Sequence, residues 1–150
     1  GHIVELYRKT PDDPDLTIKN LPPGAKIEHQ YQIDYMAGLM ESLRFENANP
    51  IEVTDFDGGP RVEAVVISSD GREIRLSAGD QNEDGASWVK LRVLMASNFP
   101  TSKNLSETVK TLSARVDGWA FLLPRAKVER LKIRLSDILN RDTISDGKGN

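Results

Sequence analysis

The segment Val62-Glu-Ala-Val-Val-Ile-Ser-Ser-Asp-Gly-Arg-Glu-Ile-Arg-Leu-Ser77 limits the fold more than any other, because two β-rich runs flank an Asp70-Gly71 pair. Asp-Gly suits the two positive-φ positions of a type I′ turn, whose twist matches that of the strands it joins. A two-residue turn there sets Ser69 opposite Arg72, Ile67 opposite Ile74, Val65 opposite Leu76 and Glu63 opposite Ala78. Val65, Ile67, Ile74 and Leu76 then form an apolar face, with Ser68, Glu73, Arg75 and Ser77 on the other side. A third run over 88–95 alternates in the same way, Val89, Leu91 and Val93 against Lys90 and Arg92. The expectation is an antiparallel meander with one face to cover.

The cover is sought in helical patterns. Residues 31–45 carry Ile33, Met36, Ala37, Met40 and Leu43 at helical spacing, with the two methionines read as adaptable core filler. Gly38 costs that helix up to about 1 kcal/mol relative to alanine. Asn47-Ala-Asn-Pro50 is expected to end it, and residues 55–60 read as a loop. Residues 105–116 predict a short helix with Leu105, Val109, Leu112 and Val116 on one side, broken at Asp117-Gly118. Trp119-Ala-Phe-Leu-Leu123 reads as a strand, in which Trp119, like Trp88, is a core or sheet-face aromatic.

Pro124 suits the first position of a last helix running to residue 139, where its missing N–H costs nothing. Val128, Leu131, Leu135, Ile138 and Leu139 make its stripe, and Arg125, Lys127, Arg130, Lys132 and Arg134 its basic face. That face is read as solvated, the alternative being a contact with an acidic partner, nucleic acid or anionic lipid. Short strands are expected over 3–8 and 16–19, around an exposed turn rich in Pro and Asp, and residues 141–150 as a flexible tail. The fold class expected is α+β: one domain over 1–150 with an ordered core over about 3–140. Its antiparallel sheet has four to five strands, with two main helices packed on one face.

A chain of 150 residues, 38% of them hydrophobic, buries roughly two-thirds of its unfolded surface and needs no disulfide or metal staple. A net charge of −3 argues against a general nucleic-acid binder, and the lack of cysteine excludes thiol catalysis and zinc–thiolate sites. The two histidines are His2 and His29, and no nucleophile elbow accompanies them. No Gly-rich phosphate loop is present, and no carboxylate sits in an apolar run that would raise its pKa. No catalytic, cofactor-binding or metal-binding residue is therefore assigned, and no cofactor is expected.

The one ligand-like motif is Asp80-Gln-Asn-Glu-Asp-Gly85, which matches the opening of a calcium loop through Asp80, Asn82 and Asp84. Its twelfth position is Leu91 rather than glutamate and its flanks read as strands. It is read as an acidic hairpin loop, with calcium binding as the alternative. The chain starts at Gly1-His2, which reads as the remnant of a cleavage, so a preceding leader or membrane anchor is an open expectation.

The helix from Ile33 to Leu43, the hairpin around Asp70-Gly71, the strand from Trp88 to Val93, Gly118-Trp-Ala-Phe-Leu-Leu-Pro124 and the closing Val128-Glu-Arg-Leu-Lys-Ile-Arg-Leu-Ser-Asp-Ile-Leu139 follow an order that resembles the bacterial domain-of-unknown-function 4340 family. The resemblance spans most of residues 16–139, and the segment 95–116 is longer than that family's pattern. It implies a membrane-tethered protein on the periplasmic side of the cytoplasmic membrane, encoded beside gliding-motility-type ABC transporter components, with an anchor lying outside this sequence. It supplies no catalytic residues. The function expected is a non-enzymatic extracytoplasmic interaction module with an envelope or transporter protein as partner. The alternatives are a carboxylate- or metal-dependent hydrolase and a calcium-stabilised structural domain.

Overall fold

The computed structural model describes residues 4–7, 10, 12–19, 21–41, 43–54 and 61–139. Along the chain the elements are β1 (Leu6–Tyr7), β2 (Thr17–Ile18), α1 (Gln30–Glu41), β3 (Asn47–Pro50), a 3₁₀ turn (Ile51–Val53), β4 (Val62–Ile67), β5 (Arg72–Gln81), β6 (Ser87–Met95), α2 (Lys103–Val116), β7 (Trp119–Leu123), α3 (Arg125–Leu131) and α4 (Leu135–Ile138). They form two compact units: residues 43–131, and a second drawn from residues 1–42 and 132–150. The class is α+β, with a five-stranded sheet in one unit and a two-stranded sheet in the other.

The larger unit is an antiparallel sheet in the order β3-β7-β6-β5-β4. Its register at the hairpin differs from the expected one by a single residue. The Ser68 N–H donates to the Arg72 carbonyl (2.9 Å) and the Gly71 N–H to the Ser68 carbonyl (3.0 Å), so the loop has three residues. Gly71 alone takes positive φ, at 90°, and Asp70 does not. A turn closing on one left-handed glycine spares Asp70 the conformation that a type I′ turn would demand. The Ser68 hydroxyl holds the loop by bonding the Asp70 carboxylate and accepting from the Arg72 N–H (3.2 Å).

With period-2 side chains, that one-residue difference exchanges the faces of β4. Val65 stands opposite Arg75 and Ile67 opposite Glu73, while Val62, Ala64 and Val66 stand opposite Ala78, Leu76 and Ile74. Leu76, Ala78, Val89 and Leu123 are buried with Val128 of α3, and Val62, Ala64, Leu43, Phe45, Phe121 and Leu131 close around them. Phe45 and Phe121 meet at 4.8 Å between ring centres. Beyond Ala78 the β5–β6 register shifts, and the buried Ser87 hydroxyl donates to the Gly79 carbonyl (2.8 Å) at this irregularity.

Ser102 caps α2 by accepting from the Leu105 N–H (3.1 Å), and α2 packs against β6, where the Ser113 hydroxyl donates to the Val93 carbonyl (2.9 Å). Residues 47–50, expected only to end a helix, form β3 by pairing with β7, a case of tertiary pairing overriding weak local propensity. Helix α1 stops at Glu41, so Leu43 and Phe45 belong to the sheet's core rather than to a helical stripe. The expected last helix is broken. Asp137 accepts from the Arg134 N–H (2.8 Å), which a continuous helix would spend on Arg130, and a new helix, α4, starts there.

In the second unit, Ile18, Ile33, Ile138 and Leu139 are buried together, with Leu6, Leu16, Ile27, Met36, Ile133 and Leu135 around them. The strands expected over 3–8 and 16–19 meet as the two-residue pair β1–β2. The Glu28 and His29 N–H groups both donate to the Ile138 carbonyl (3.1 Å each), tying the two chain ends into one unit. The loop expected over 55–60 and the tail over 141–150 lie outside the described residues. No helix among the described residues is long and apolar enough to cross a membrane.

Candidate functional site: one open edge of the sheet

A five-stranded open sheet has two edges, and here they are built differently. At the β3 edge the Ile51 N–H donates to the Gly118 carbonyl (2.9 Å), so by antiparallel alternation Asn47 and Asn49 face β7 while Ala48 and Pro50 face outward. Neither outward position offers an N–H. The Asn47 Oδ1 accepts the Ala48 N–H (2.9 Å), and Pro50 has none. The Pro50 carbonyl accepts the Thr54 hydroxyl (3.0 Å). Such features block strand addition.

Among the described residues the β4 edge has none of them. Because the Ser68 N–H is turned toward β5, the even residues of β4 face β5, and Glu63, Val65 and Ile67 direct their N–H and C=O groups outward. Among the described residues nothing takes up those six groups. Val62–Ile67 contains one charge, Glu63, and no lysine or proline. Val65 is 54% and Ile67 53% exposed, and the neighbouring Val66 is 37% exposed. An unguarded aliphatic edge of this kind is a template for another strand.

Both ends of this edge are tied down. At the hairpin tip the Ser68 hydroxyl and the Arg72 guanidinium (2.8 Å) hold the Asp70 carboxyl at about 2, well below its ordinary 3.8. Gly71 lies against Phe99 and Leu105, whose atoms would stand 2.9 and 3.2 Å from a Cβ at that position. At the other end the Arg61 N–H donates to the Ala78 carbonyl (2.8 Å), and its guanidinium grips both oxygens of Asp80 (2.8 and 3.3 Å), which raises the Arg61 pKa.

The calcium-like loop is used structurally. Asp80 is engaged by Arg61, and the Asn82 Oδ1 accepts the N–H groups of Asp84 and Ala86 (3.0 Å each). Gly85, at φ 81°, closes the turn beneath the methylenes of Arg125. A cation drawing on Asp80 and Asn82 would have to displace these bonds, and among the described residues no group of three or more acidic, His or Cys side chains is placed to hold a metal. Arg125 of the basic face is thus partly a packing residue, and the face itself is divided between α3 and the chain that follows it.

His29 lines an open hollow of about 420 Å³ with Glu28, Tyr31, Gln32, Ser136, Asp137 and Leu139. Its ring lies 5.5 Å from that of Tyr31, and Asp137 is occupied by the Arg134 N–H. Trp88 is half-buried in β6, and Trp119, at the start of β7, is 43% exposed, which fits the sheet-face and not the core reading of that residue.

The sequence reading placed Val65 and Ile67 in the core and so passed over the edge they form. The signal available was order along the chain: β4 opens the meander. Neither a family model, nor a curated protein, nor a solved structure matches the chain.

Proposed function

We propose that this chain is a non-enzymatic interaction module whose β4 edge receives an extended strand of a protein partner. The observation that carries the reading is the asymmetry of the sheet: β3 has its outward N–H positions capped or removed, and β4 presents a row that no described residue takes up, beside exposed Val65 and Ile67. Main-chain bonds along β4 would supply affinity, and a partner with aliphatic side chains at alternate positions would match Val65 and Ile67. The resemblance noted above assigns that partner to the bacterial envelope, as a component of an ABC-transporter-like complex on the periplasmic side of the cytoplasmic membrane.

The test is a photo-reactive amino acid placed at Val65, with Ala48 on the blocked edge as control, in the protein expressed in its native host. A covalent adduct with an envelope transporter component from position 65 and none from position 48 is the expected result. Equal labelling from both positions, or labelling from 48 alone, would remove β4 as the interaction edge.

A further inference from the structure

We infer that, in the absence of a partner strand, the β4 edge is closed by the β4 edge of a second copy of this chain, antiparallel and two-fold symmetric about Val65. The inference rests on the reading of β4 as the interaction edge and adds the state in which that edge is held. It starts from the outward row Glu63, Val65, Ile67, which is nearly its own complement.

With Val65 opposite its counterpart, Glu63 faces Ile67 of the other copy and Ile67 faces Glu63. All three outward residues of each copy are then paired, and the outward N–H and C=O groups that no described residue takes up are satisfied. Shifting the register by two residues in either direction leaves one of the three unmatched. Shifting it by four toward the start of the strand sets Glu63 against Glu63. In the register centred on Val65 the two carboxylates are offset by four residues, about 14 Å along the strands at ~3.4 Å per residue, beyond the ~8 Å screening length of physiological salt. Charge therefore disfavours shifts toward the start of the strand and leaves the register that hydrogen bonding selects unopposed. Because paired residues share a face, Val65 and Ile67 of both copies meet as four adjoining aliphatic side chains on the side where each is now half exposed.

The contact is small. A six-residue strand spans about 20 Å, and the pairing buries less than the ~1,000 Å² expected of a stable interface. Such a pair forms at high concentration, dissociates on dilution and yields to a partner strand that adds contacts of its own. Self-pairing would thus act as a reversible guard on an edge that carries none in its sequence.

The absence of cysteine makes the register directly testable in the full chain. Hydrogen-bonded antiparallel neighbours have Cα atoms about 5.5 Å apart, within disulfide range, whereas residues displaced by four positions do not. Under mild oxidation at about 1 mM protein, Val65→Cys is expected to give a disulfide-linked dimer at least tenfold faster than Glu63→Cys or Ile67→Cys alone. An equimolar mixture of those two should link to each other. By sedimentation, the mass of the unmodified chain should rise with concentration from 16.7 kDa toward twice that value, and Val65→Lys should abolish the rise without lowering the melting temperature.

A chain that stays monomeric at that concentration with Val65→Cys unlinked overturns the inference, as does equally fast self-linking of Ile67→Cys. Either failure, accompanied by position-65 photo-adducts to an envelope protein, would leave the interaction edge standing. Failure of both would remove the edge itself.

Discussion

Gly71 sits at the hairpin tip where the register of the sheet is set. Replacing it with alanine forces a non-glycine residue to φ 90° and drives a methyl group into Phe99 and Leu105. The conformational cost of about 1–2 kcal/mol and the overpacking of about 1–3 kcal/mol act together, so Gly71→Ala is expected to lose about 2–5 kcal/mol in urea unfolding. Gly24→Ala, also at positive φ but with open space around its Cβ, should lose only about 1 kcal/mol. Beside Gly71, Asp70 binds its proton more weakly when folded than when unfolded, chiefly through Ser68 and then Arg72. Its contribution is therefore complete above pH 3.8 and fades as the pH falls toward about 2. An NMR titration of the Asp70 side chain should show that midpoint, and Ser68→Ala should move it up toward the ordinary value.

At the scale of elements, the sequence was legible where one pattern dominated. β5, β6, α2 and β7 lie where alternation or helical spacing predicts them, to within a few residues at their ends. It was least legible where two local solutions were nearly equal. Asp70-Gly71 is compatible with a two- or a three-residue loop, and the choice is made by the Ser68 hydroxyl and by which face of β4 can reach Leu76. Asn47-Ala-Asn-Pro50 has no strand signature of its own and becomes β3 only because β7 is beside it. The break before α4 depends on Asp137 reaching back to Arg134, a capping contact that the apolar stripe hides. The Asp80 loop shows the same ambiguity in a ligand motif, since the asparagine and glycine that suit calcium also suit an Asn-capped turn. With its oxygens engaged by Arg61 and backbone N–H groups, millimolar calcium or a chelator is expected to leave the melting temperature unchanged within 1 °C.

Across the whole molecule, the two units differ in how the chain enters them. Residues 43–131 are continuous, and among the described residues the core around Leu76, Val89 and Leu123 is drawn from that stretch. A polypeptide of residues 43–131 is accordingly expected to show a cooperative thermal transition by circular dichroism. A polypeptide of residues 1–42 is not, because Ile138 and Leu139, which complete its core, come from the far end of the chain. The open edge was invisible at this scale for a plain reason: composition reports that Val65 and Ile67 are apolar, and only the register reports that they face away from the core.

The two edges of the sheet also fix the valence of the molecule as a building block. A subunit with one reactive edge can join one neighbour and then has nothing left to offer, so growth stops at a pair. A subunit with two becomes a link in an open chain. Asn47 and Pro50 thus act as a chain terminator, and a variant carrying Asn47→Val and Pro50→Val is expected to convert concentration-dependent dimers into thioflavin-positive filaments.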